Sequence, residues 1–192
     1  MSGFLRRMGF YGAAEVAVLV FAFLFLCAGT IHAQVIFNEV AWMGTSANSA
    51  DEWIELKNGS PYQVNVEGWV IYEQAGSTAI ITLKGSIPAD GYYIIERTDD
   101  NAVSDIAADV FGSFGGSGLK DSGEYLVLKD TNGGVIDQLD ATAGWPAGIN
   151  DSAGKKKVSM ERTSNGLWQN NNEQTIYGKD AQGNAIFGTP KH

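Results

Sequence analysis

Past Gln34 the sequence never sustains a helical period. Short β-branched and aromatic runs alternate instead with clusters of Gly, Asn, Asp and Ser, the punctuation expected between consecutive strands. Strands are predicted over residues 35–41, 52–58, 69–74, 79–84, 92–97, 125–129, 135–139 and 158–162. Between two of these, Asp130-Thr131-Asn132-Gly133-Gly134 predicts a hairpin turn, because Asn and Gly accept the positive φ that tight turns require. About eight short strands in one domain point to an all-β sandwich of immunoglobulin-like dimensions.

Residues 1–33 read as an export signal: Arg6 and Arg7 precede an apolar run over 16–29, and small or polar residues ending at Ala33 follow. The run is shorter than the roughly 20 residues of a membrane span. Cleavage near Ala33 is therefore expected, with an uncleaved signal anchor as the alternative. Cys27 follows Leu24, Phe25 and Leu26, which lack the small residue of a lipid-modification site. Residues 34–192 are enough for one core and too few for two ordinary domains. They contain no cysteine, so packing rather than disulfides must hold them. The formal net charge is −9, and −10 once Arg6, Arg7 and Glu15 are left out. Such a surface repels nucleic acid and anionic lipid, and no membrane insertion is expected after signal removal.

Seven pieces, taken in order, resemble the lamin tail domain family in its secreted bacterial form. They are VIFNEVAW (35–42), DEWIELKN (51–58), VEGWVIYE (66–73), IPADGYYIIER (87–97), SGEYLVLKDTNGGVIDQLD (122–140), VSMERT (158–163) and FGTP (187–190). The resemblance implies an immunoglobulin-like β-sandwich, in agreement with the strand pattern. In animals the family supplies the globular tail of nuclear intermediate filaments and acts as an interaction surface. Its bacterial copies look like secreted accessory modules, often beside nuclease or hydrolase domains. This chain has no heptad rod and no C-terminal cysteine for prenylation, so filament and nuclear roles are not carried over. The family's motifs include no catalytic residues.

The chemistry available to residues 34–192 is narrow. The two histidines are His32, inside the signal, and His192. Histidine-dependent Ser or Cys catalysis and histidine-rich zinc sites are thereby excluded from the body. A two-carboxylate glycosidase is formally open, since Glu39, Glu52, Glu55, Glu96 and Glu124 are present. In DEWIELKN, however, strand alternation puts Ile54 and Leu56 on the core face. Glu55 and Lys57 then fall on the other face beside Trp53, where a solvated strand surface is expected.

Asp99, Asp100, Asn101 and Asp105 crowd one loop in the manner of hard-cation ligands, but their spacing matches no calcium loop, and no cofactor is expected. Lys155, Lys156 and Lys157 read as a solubility run. The five tryptophans fall in or beside strands and turns, where core or core-edge packing is expected, Trp145 in its Gly-rich connection being the best exception. The long stretch over residues 98–123 either binds a partner or folds back to protect a sheet edge. Asp99, Asp100, Asp105, Phe114 and Trp145 are accordingly the candidate partner-binding residues. The functional expectation is an exported, non-catalytic interaction module with an adhesion, envelope or assembly role, meeting a protein or envelope component. The alternatives are an accessory domain of an exported nuclease or other hydrolase system, and a signal-anchored envelope protein.

Overall fold

Val35 opens the first strand of a sheet that ends up buried on both faces. The computed structural model describes residues 35–73, 77–151, 153 and 156–192, all within the compact unit Ala33–His192. The segment 1–33 read as an export signal, with Cys27, and also Gln34, Gln74 and Lys155, lie outside the described residues. Among those described there is no helix long and apolar enough to cross a membrane.

The strands in the first half are β1 (Val35–Ala41), β2 (Trp53–Asn58), β3 (Val64–Asn65), β4 (Val70–Glu73), β5 (Thr78–Thr82), β6 (Ser86–Ile87) and β7 (Tyr92–Arg97). The second half adds β8 (Val110–Gly112), β9 (Tyr125–Lys129), β10 (Val135–Asp140), β11 (Ile149–Asp151), β12 (Lys156–Val158), β13 (Met160–Arg162) and β14 (Trp168–Asn170). A six-stranded sheet runs β14-β13-β1-β2-β7-β8, and a four-stranded sheet runs β10-β9-β4-β5. β11–β12 and β3–β6 are two-stranded ribbons. Every pairing is antiparallel except β7 with β8. This is an immunoglobulin-like β-sandwich with no helix among the described residues.

Paired residues on adjacent strands share a face, so the registers define what each sheet presents. Val40, Ile54 and Ile95 form one inward row of the large sheet, continued by Met160. Ile71, Ile81 and Leu128 answer from the small sheet, with Leu126 and Leu139 beside them. All are buried, and each aliphatic side chain taken from water stabilises the fold by about 1.5–3 kcal/mol. The expected 130–134 turn forms, with Asp130 and Gly134 hydrogen-bonded and Gly133 at φ 80°.

The two sheets are tied at one margin by a carboxylate. β1 shifts register between Phe37 and Glu39, and β10 between Val135 and Asp137. At such a bulge a backbone N–H leaves the ladder. The Phe37 N–H donates to Asp137 Oδ2 (2.8 Å), which also receives Arg162 Nη1 (2.5 Å). At the opposite margin residues 110–115 close the gap. A Cβ on Gly112 would stand 2.7 Å from Ile81 Cδ1, so this backbone runs close against the Ile81 side chain of β5. Phe114, at φ 45°, is buried in the core.

Candidate functional site

The same registers line up acids on the outer face of the large sheet. Glu161, Glu39 and Glu55 make one row across β13, β1 and β2, and Trp53 and Glu96 pair in a second row across β2 and β7. The expectation of a solvated face around Glu55 is overturned: Glu39, Trp53, Glu55 and Glu96 are all 0% exposed. The physical reason is a covering layer drawn from residues 98–109 and 171–192. Being irregular and distant in sequence, it leaves no periodic trace beside β2.

The glutamates fasten this layer through its backbone. Thr189 N–H reaches both oxygens of Glu39 (3.0 and 3.1 Å), and Lys191 N–H reaches Glu55 Oε2 (2.5 Å). Ala102 and Val103 N–H donate to Glu96 (2.8 and 3.2 Å). Gly188 passes directly over the acids, since a Cβ there would sit 2.5 Å from Glu39 Oε1 and 3.1 Å from Trp53 Cζ2. Burial, then the neighbouring Glu55 carboxylate, push Glu39 up to about 8, against hydrogen bonds from Ser159 and Thr189. Burial likewise raises Glu55 to about 7, opposed by the Lys191 N–H and Asn38, and Glu96 to about 7, opposed by Ala102 and Val103 N–H.

A second acidic group closes the end of the sandwich. Glu52 accepts Arg97 Nη1 (2.9 Å) and Leu119 N–H (2.6 Å), and burial raises it to about 7. Next to Leu119, Lys120 pairs with Glu124 and stands 3.6 Å from Glu73. These acids anchor the 98–123 stretch at its far end.

Two hollows lie on this side of the described residues. The recess beside Trp53, lined also by Met43, Thr45, Ser159 and Phe187, has a volume of about 10 Å³, the size of one water. A wider hollow of about 420 Å³ is lined by Ser46, Gln182, Asn184, Ala185 and Phe187, with no titratable side chain. His192, the one imidazole among the described residues, stacks on Tyr177.

The candidate binding residues divide. Asp99, Asp100 and Asp105 are exposed on the 98–109 loop, although Asp100 accepts Ala108 N–H and Asp105 accepts Lys179 N–H (both 2.7 Å). Phe114 is a correction: it is 1% exposed, because it fills the core margin beside β5, and its ring is out of a partner's reach. Trp145 is half-buried, stacked on Trp42 with centroids 5.9 Å apart, and its Nε1 donates to Lys120 O (2.8 Å). The turn at Trp145 and the end of the long stretch are thus brought together, as packing. Phe111, which the sequence puts in the same stretch as Phe114 without singling it out as a binding residue, is the exposed aromatic there. It is 52% exposed on β8, in the row of Glu96 and Trp53 at the edge of the large sheet. Its signal was an aromatic between Val110 and Gly112 in a stretch read as loop. Among the described residues no three His, Cys, Asp or Glu side chains gather as a metal site.

The Lamin Tail Domain family model matches residues 30–143, which contain β1 to β10, and hence both principal sheets apart from β13 and β14. No curated protein matches the chain. With the sandwich, its registers and this match in agreement, the chain belongs to the lamin tail domain family.

Proposed function

We propose that the chain is an exported, non-catalytic interaction module that meets a protein or cell-envelope component through the β8 edge and the adjoining 98–109 loop. The observation that carries this reading is the exposed Phe111 on a three-residue edge strand. Edge strands are templates for added strands, and exposed aromatics are characteristic binding anchors. Asp99, Asp100 and Asp105 on the same stretch suit a basic or polar rim on the partner. The non-catalytic half is supported by acids occupied with backbone donors and by membership of an immunoglobulin-like family. Export is supported by Arg6, Arg7 and the apolar run that follows. Mass spectrometry of the exported product is expected to find an N-terminus near Gln34, and recovery of only full-length chain in membranes would refute cleavage.

The test of the surface is capture from a native envelope fraction. Phe111→Lys is expected to lower capture severalfold with little change in Tm, while Tyr62→Lys, at a 74% exposed position on another loop, leaves it intact. Equal capture by all three proteins refutes the surface. Turnover on nuclease or glycosidase substrates that falls with Glu55→Gln refutes the non-catalytic reading.

A further inference from the structure

Residues 185–192 form a strap over the glutamate row, and the hydrogen-bond count there leaves room for a proton. Ser159 Oγ lies 2.5 Å from Glu39 Oε1 and 3.1 Å from Phe187 O, two acceptors for one hydroxyl proton. Thr189 Oγ1 lies 2.9 Å from Glu39 Oε2 and 3.1 Å from Glu161 Oε1, again two acceptors for one proton. With both glutamates ionised, two of these four short contacts bring oxygen lone pairs together in a buried site, which is costly. A proton on Glu39 completes one chain, Glu39 to Ser159 to Phe187 O.

The surrounding charges oppose ionisation as well as favouring it. Glu55 faces Glu39 from β2, and Glu161 faces it from β13. The strap supplies Lys191, whose Nζ is engaged by Asp109 (3.0 Å) from the segment before β8. Lys57 on β2 acts on Glu55. Asp99 and Asp100 act on Glu96 in the next row.

We infer that the C-terminal strap is a proton-operated latch, closed while the Glu39–Ser159–Thr189–Glu161 network carries an added proton and released when that proton is lost. This goes beyond the interaction reading and does not depend on it. Burial under the strap raises Glu39, and an opened strap returns it toward an ordinary carboxylate. Closure therefore takes up a proton, is favoured at low pH, and weakens as pH rises through the range between about 4.5 and 8.

The experiment is hydrogen exchange by mass spectrometry on the full chain from pH 5.5 to 8.5, corrected for intrinsic exchange. Protection of peptides carrying the Thr189 and Lys191 amides is expected to fall by up to about tenfold per pH unit for each proton released, at lower pH and more steeply than that of β2 amides, which fall only with global stability. Glu39→Gln, whose amide permanently supplies the missing donor, is expected to reduce the pH dependence of strap protection to the part carried by Glu55 beneath Lys191. Ser159→Ala, which removes a hydrogen bond that holds Glu39 down, is expected to move strap release to higher pH and serves if the first variant does not fold. Flat wild-type protection, an unchanged pH profile in the folded variants, or equal loss over strap and β2 overturns the latch.

Discussion

Protonation of Glu39, Glu52, Glu55 and Glu96 governs how stability varies with pH, because burial raises all four above the unfolded value of 4.5. Between that value and their folded values of about 7 to 8, the folded chain binds more protons than the unfolded one. Their contribution is therefore complete below about 4.5 and is lost as pH rises through 7 to 8. Tm at pH 5.5 is expected to exceed Tm at pH 8.5 by at least ~3 °C, about what 1 kcal/mol does in a domain of this size. An equal or higher Tm at pH 8.5 contradicts this. Gly188→Ala is expected to destabilise by about 1–3 kcal/mol, measured by urea denaturation, since the added methyl meets Glu39, Ser159 and Trp53 at 2.5–3.1 Å. At this scale Ile54 and Leu56 were legible from alternation alone. Glu55 was not, because its burial depends on residues some 130 positions away.

Among the elements, the predicted strands at 35–41, 92–97 and 125–129 coincide with β1, β7 and β9, since each is a clean β-branched or aromatic run between turn residues. The single strand predicted over 158–162 is instead β12 and β13, broken at Ser159, whose N–H and hydroxyl turn toward Phe187 O. β8 and β14 are three-residue edges whose pairing partners supply most of their definition, so composition could not announce them. Within the stretch over 98–123, β8 is laid against β7, and Phe114 and Leu119 are buried. Phe114→Ala is accordingly expected to cost about 3–5 kcal/mol in chemical denaturation, whereas Phe111→Ala, more than half exposed, is expected to cost under ~1 kcal/mol. Similar losses for the two would show that Phe111 also belongs to the core.

For the whole molecule, family membership and sandwich architecture were both readable from ordered motifs, while the covering of the large sheet's outer face was not. That layer is built largely from residues 171–192, which lie beyond the family match and carry no sustained strand pattern. The net charge of −10 for residues 34–192, obtained by leaving Arg6, Arg7 and Glu15 out of the total of −9, predicts no retention on DNA at physiological salt. The proposed interaction surface is the sheet edge that carries the exposed Phe111. Site-specific photocrosslinking reads this directly: a crosslinking amino acid is placed at Phe111, at Tyr62 or at Val135, all well-exposed apolar positions, in cells exporting the chain. A discrete adduct from position 111, with none from 62 or 135, is the expected result; adducts from 62 or 135 but not from 111 would contradict the β8 edge as the interaction surface.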